Sequence, residues 1–255
     1  MQSVITVLVA VLVAYLGLCA WAYLTQRSQI YFPTPETRHP GAESVWIKSA
    51  GAKLKVWTVT RPGPRALVYF GGNAEDVAGN LDDLERALPD HSLYLVNYRG
   101  YGGSTGVPSE AGLYADALAV FDVVRAVHGE VAVMGRSLGA SVAVHLASER
   151  PVERLVLVTP FDSLVNVAHG HFRWLPIGWL LQERYDSAGR AASIRAPALL
   201  VIAGNDEIVP EARSRALAAA FGPRRSRVVV IPGTTHNTLD LSPAYLRSVS
   251  SFLAD

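Results

Sequence analysis

The sequence predicts an α/β domain wound around a sheet, preceded by one long apolar helix. Three observations predict it. Short apolar runs alternate with helical patterns of ten or more residues from about residue 44 onward, as a wound sheet requires. The later runs are continuous Val, Leu and Ile rather than alternating, which marks strands covered on both faces in a parallel sheet. Ahead of them, residues 4–24 carry no charge at all.

That first segment matches the ~20 residues a helix needs to cross a bilayer. Tyr15, Trp21 and Tyr23 lie in its second half, where interfacial aromatics collect. It reads as an uncleaved anchor over residues 1–25, placing the protein at a membrane by a single pass, with the side open. A signal peptide competes, because Ala20-Trp21-Ala22 resembles a cleavage site. Against cleavage, no Lys or Arg precedes the apolar run. Residues 26–43 form a polar, Pro-containing connector.

Residues 44–255 make one domain. Strands are expected at 44–49, 54–59, 66–70, 92–97, 131–134, 155–158, 198–203 and 227–231. Helices are expected at 77–88, 110–127, 138–148, 211–221 and 243–253. Gly222-Pro223 supplies a stop signal for the fourth helix, and Ser242-Pro243 a start signal for the fifth. About residues 162–194 the rhythm breaks, in a stretch holding Phe172, Trp174 and Trp179. A small cap over the sheet edge is the expectation, with those three side chains against an apolar substrate. An ordinary helix with a long loop is the alternative.

Composition narrows the function. Hydrophobic residues make up 50% of the 255-residue chain and charged ones 18%, enough for a large core and too little polarity for wholesale disorder. The 23 basic and 22 acidic residues leave a charge of +1, which offers nucleic acid no basic surface. Cys19 is the single cysteine and lies in the apolar segment, so the domain has neither disulfides nor thiolate metal sites. No metal or organic cofactor is implied.

The chemistry centres on Gly135-Arg136-Ser137-Leu138-Gly139, set between an expected strand and a small-residue helix start. A nucleophilic serine needs a sharp turn that exposes its hydroxyl, and bulk at either glycine would collide with the neighbouring strand or helix. A serine hydroxyl is unreactive without an oriented base. His236 follows the last strand through Pro232-Gly233-Thr234-Thr235 and is the best placed of the seven histidines. Its carboxylate partner is read as Asp206, after the strand at 198–203, with Asp162 the rival and a turn-capping role the plain alternative. The order Ser137, Asp206, His236 is that of a nucleophile-elbow hydrolase. For the oxyanion, Leu138 N–H and Asn73 N–H are the candidate donors, Asn73 standing in Phe70-Gly71-Gly72-Asn73-Ala74.

With these motifs in place, the chain resembles the α/β-hydrolase-domain proteins of the Bem-like group. The likeness runs on through Asn97-Tyr98-Arg99-Gly100-Tyr101-Gly102, Pro108-Ser109-Glu110, Thr159-Pro160-Phe161, Gly204-Asn205-Asp206-Glu207-Ile208-Val209-Pro210 and Pro232-Gly233-Thr234-Thr235-His236-Asn237. The resemblance implies an α/β-hydrolase fold with a mostly parallel eight-stranded sheet, a Ser137–Asp206–His236 triad, and ester or thioester hydrolysis without a cofactor. Two positions depart from the group's pattern. Gly71 stands in place of a His, which bears on the support of its loop, and Asn97 in place of an Asp that could have paired with Arg99.

The expected substrate is a small-molecule or lipid-like acyl ester or thioester, or an acylated protein. A peptidase or C–C hydrolase on the same fold and a non-catalytic binding module are the rival readings.

Overall fold

The computed structural model describes residues 1–39 and 41–254. Helix α1 (Gln2–Ile30) is continuous. It outruns the uncharged stretch because Gln26, Arg27 and Gln29 are straight-chain residues that hold helical geometry at little cost. Most of its apolar side chains, Val4, Leu8 and Leu12 among them, face outward. It is long and apolar enough to cross a membrane.

The sheet opens with β1 (Glu43–Ser49) and β2 (Ala52–Val59), an antiparallel pair. Then come β3 (Arg65–Phe70), β4 (Ser92–Val96), β5 (Glu130–Arg136), β6 (Leu155–Val158), β7 (Ala198–Ala203) and β8 (Ser226–Ile231). Their order is β1-β2-β4-β3-β5-β6-β7-β8. β2 meets β4 antiparallel, and the pairings from β4 to β8 are parallel. The sheet is thus eight-stranded and mostly parallel, as the resemblance implied. β5 outlasts the expected 131–134, because Gly135 and Arg136 still pair with Leu157 and Val158 on β6.

Helices cover both faces. A 3₁₀ turn (Val77–Asn80) and α2 (Leu81–Ala87) replace the single helix expected at 77–88. The Asp76 side chain accepts from Ala78 N and tightens that first turn. α3 (Glu110–Arg125) is capped by Ser109, and α4 (Leu138–Glu149) leaves β5 directly. α5 (Leu164–His171), α6 (Ile177–Leu180) and α7 (Ala188–Ala191) are short and occupy the stretch expected to form a cap. α8 (Glu211–Phe221) stops at Gly222, whose positive φ of 80° suits a residue without Cβ, and α9 (Pro243–Ala254) closes the chain.

The period-2 geometry of the strands sorts the core. Ala66, Val68 and Phe70 of β3 join the cluster holding Val120, Phe121, Val142 and Leu146, while Leu67 and Tyr69 join that holding Leu84, Val249 and Phe252. The order reverses around β3, which has β4 on one side and β5 on the other. A crevice outside the carboxyl ends of the strands at such a reversal is where open α/β sheets bind ligands. Asn73 and Ser137 follow those two ends.

Candidate active site

The turn from β5 into α4 is built by its glycines. A Cβ on Gly135 would overlap the carbonyl of Gly139, and one on Gly139 would overlap the carbonyls of Phe70 and Gly71. Only bare backbones fit, so α4 packs directly against the end of β3. The chain bends at Ser137 with φ 52° and ψ −114°, a strained conformation for a residue with a side chain. Ser137 N–H donates to Val158 O at 2.8 Å, which fixes the bend to β6.

Two loops deliver the partners. Asn205 N–H donates to Thr234 O at 2.8 Å, tying the loop after β7 to the loop after β8. Asp206 and His236 thereby face one another, with Asp206 Oδ2 2.8 Å from His236 Nδ1. His236 Nε2 lies 3.0 Å from Ser137 Oγ. A carboxylate can only accept, so the ring proton belongs on Nδ1, and Nε2 is left to accept from the serine hydroxyl. Asp206 also does what the plainer reading asked of it: Oδ1 accepts from Ile208 N at 3.0 Å and Val209 N at 2.7 Å. Asp162 is elsewhere, paired with Arg213 and bonded by Asn166.

The loop after β3, where Gly71 stands, is held by hydrogen bonds from several side chains. Glu75 accepts from Gly72 N and Tyr69 Oη, both at 2.6 Å, and from Asn80 Nδ2 at 2.8 Å. Tyr98 Oη donates to Gly71 O at 2.7 Å, and Tyr101 Oη to Asn73 Oδ1 at 2.8 Å. Burial pushes the Tyr101 phenol up to about 12, and burial drives Tyr69 and Tyr98 well above the usual range. All three therefore remain protonated donors. A Cβ on Gly71 would overlap the Val77 side chain, so this loop is packed around a residue without one. Neither Asn73 N–H nor Leu138 N–H has an acceptor among the described residues. Beside the neutral Asn97, Arg99 forms a two-pronged pair with Asp116 of α3 at 2.8 and 2.6 Å.

Ser137, Leu138 and Asn73 line an apolar cavity of about 620 Å³. Phe172 and Trp174 line it. Trp179 does not: it is 92% exposed. α6 is a single turn that turns Ile177 inward, and a residue two places along a helix faces the other way. Leu18, Trp21 and Ala22 of α1 form another wall of the cavity.

Sequence reasoning missed these α1 residues and Arg136. Arg136 Nη2 donates to His236 O at 3.0 Å and so holds the histidine's backbone in place. Its position inside the serine pentapeptide was the available signal. Among the described residues, no group of three His, Cys, Asp or Glu side chains could hold a metal ion.

Known proteins share this arrangement of chain and fold. The serine hydrolase family model matches residues 114–242, about half of the chain. An uncharacterised protein of Mycobacterium tuberculosis is 40% identical over 245 residues, covering 88% of this chain and 85% of its own. Lysophosphatidylserine lipase ABHD12 of Mus musculus is 31% identical, matched over 82% of this chain; the chain spans 61% of that relative's length. The esterase Pf2001 of Pyrococcus furiosus superposes with a TM-score of 0.72 at 18% identity, over 88% of this chain and 98% of that one. A family match across the serine turn and both partner loops, set on a shared sheet, leads to one assignment: the chain belongs to the serine hydrolases and has the α/β-hydrolase fold.

Proposed function

We propose that the protein is a membrane-anchored hydrolase that cleaves the ester or thioester bond of a lipid-like substrate with one acyl chain. Ser137 Oγ attacks the acyl carbonyl while His236 Nε2 takes its proton. His236 then passes that proton to the departing alcohol or thiol, leaving the acyl group on Ser137. Water, deprotonated by the same nitrogen, releases the acid and restores the serine. Asp206 holds the imidazole in its reactive tautomer, and the N–H groups of Asn73 and Leu138 receive the oxyanion. Base catalysis of this kind gives ~10²–10⁴-fold, and each lost oxyanion donor costs ~10²–10³-fold.

The observation that carries this reading is the relay of His236 between Asp206 and a Ser137 that lines an apolar cavity. The cavity's size falls within the 300–1,000 Å³ typical of small-molecule sites. The lysophosphatidylserine named for the mouse relative is a single-chain lipid, and the apolar walls here favour that class. Residues 1–25 serve as anchor, 26–43 as connector and 44–255 as the catalytic domain. A retained anchor agrees with the place of Trp21 and Ala22 in the cavity wall, since cleavage beside them would open it.

Labelling with a fluorophosphonate probe tests the reading, comparing wild type with Ser137→Ala. Label on wild type alone is expected, followed by hydrolysis of lysophospholipids and p-nitrophenyl esters that strengthens with chain length. Folded wild-type protein that takes no label and cleaves no ester overturns it.

A further inference from the structure

α1 is too committed to the protein to be a free membrane span. Tyr15, halfway along it, donates from its hydroxyl to the carbonyl oxygen of Trp174 in the cap, at 2.9 Å. Only about 13 residues of helix precede that contact, some 20 Å at ~1.5 Å per residue, against a hydrocarbon core of ~30 Å. The uncharged stretch, residues 4–24, does have the full length, but its second half is the half that carries the cap. From Tyr15 to Leu24 is about 14 Å of helix, close to the thickness of one hydrocarbon leaflet.

We infer that the cap is immersed in one leaflet of the bilayer, and that the cavity takes its acyl chain sideways from that leaflet. The inference deepens the proposed function and rests on its reading of α1 as an anchor. Leu18, Trp21 and Ala22 lie between Tyr15 and Leu24, so the cavity wall they form stands at the depth of lipid tails.

The exposed surface of the cap agrees residue by residue. Trp174, whose carbonyl receives Tyr15, is 57% exposed and nearby Phe172 48%, and both would meet the tails. α6 is joined to α1 one level higher: Gln26 Nε2 donates to Leu180 O at 3.2 Å, and Gln182 N donates to Gln26 Oε1 at 2.7 Å. That level, just past the uncharged stretch, is the headgroup boundary, and there Trp179 stands almost fully exposed. An indole at that boundary is the common interfacial aromatic. Arg27, in the same turn as Gln26, keeps much of its guanidinium exposed while Nε pairs with Glu183. The lipid leaflet is thus the partner this surface fits, apolar at depth and polar where α1 regains its charges.

The test uses the full chain with Cys19→Ala, reconstituted in phosphatidylcholine vesicles whose acyl chains carry bromine at known depths. An environment-sensitive fluorophore is attached in turn at Trp174→Cys, Trp179→Cys and Val127→Cys. Val127 is exposed just ahead of the amino end of β5, at the opposite end of the strand from Ser137, and serves as the aqueous control. Mid-chain bromines should quench the Trp174→Cys label several-fold more than the control, and bromines near the ester linkage should act most on Trp179→Cys. Vesicle-bound protein in which both cap labels match the Val127→Cys control overturns the immersion. Protein that fails to associate with vesicles at all overturns the anchor reading first. The same measurements on Ser137→Ala should be unchanged, which separates this inference from the outcome of any activity assay.

Discussion

Asn73 Nδ2 donates to the carbonyl oxygen of Ile30 at 2.5 Å, which joins the loop after β3 to the last turn of α1. The other end of the amide works in the same direction. Its Oδ1 accepts from Phe32 N at 3.0 Å and from Ala74 N at 3.1 Å, across a residue held at a φ of 59°. One side chain thus ties the end of α1 to the loop that carries the proposed oxyanion donor.

Asn73→Ala should separate them. The backbone N–H survives the substitution but loses its fixed direction, and an ångström of misplacement costs on the order of 10² in rate. We expect kcat to fall by about that factor while KM for a short ester barely moves. Steady-state kinetics decide, since a purely structural residue would lower the folded fraction and leave the kcat of folded enzyme alone. An unchanged kcat ends the argument.

Asp206 and Asp162 should part company when each is made Asn. Asp206→Asn keeps an acceptor for Ile208 and Val209, so Tm should hardly change. The imidazole would lose its tautomer control, costing on the order of 10⁴ in kcat. Asp162→Asn should keep its rate and lose about 1–3 kcal/mol of stability, because buried Asp162 is the partner of Arg213 and bonds Asn166. Equal kinetic losses in the two variants would contradict the assignment.

Why the strand ends that carry Asp206 and His236 were legible and the contacts of α1 with the domain were not comes down to sequence distance. Each partner residue follows its own strand at an edge that topology had already placed, so a reading of strand ends could find it. The strands at 155–158 and 198–203 were legible to the residue, since a continuous apolar run has clear ends. Contacts such as Tyr15 with Trp174 join segments about 160 residues apart, and no local pattern announces them. Trp179 illustrates another limit. In a four-residue helix there is no periodicity to say which side faces in, so an aromatic that faces outward reads like one in a pocket wall. Gly71 failed to signal its compensation because Glu75, which supports the loop instead, looks like any polar residue at a helix approach.

Glu183 should prove the stabilising link between α1 and the domain. Its side chain is 3% exposed, yet it receives Arg27 Nε at 2.7 Å, Tyr31 Oη at 2.6 Å and the Glu110 backbone N–H. Glu183→Ala leaves those donors unmet and should cost about 2–3 kcal/mol. Tyr31→Phe should cost less, about 1 kcal/mol, since it removes one donor and spares the carboxylate's other two. Thermal melts in detergent test the order, and a Glu183→Ala protein as stable as Tyr31→Phe would refute it.

His145 stacks on Tyr114 with ring centres 3.9 Å apart, and its Nδ1 accepts from Arg190 Nε at 3.1 Å. Burial, and then the Arg190 charge, hold its pKa below the ordinary 6.5, with Glu149 opposing weakly. The unfolded chain therefore binds the proton more readily than the folded one, so stability is full above the unfolded pKa and drains away as pH falls toward the folded value. His91 carries the same sign, by burial and then Arg65. Wild-type Tm should thus drop between about pH 7 and about pH 5. His145→Phe keeps the stacking, has nothing to protonate, and should flatten part of that slope, leaving the share due to His91. A slope identical to wild type would mean that the proton goes elsewhere.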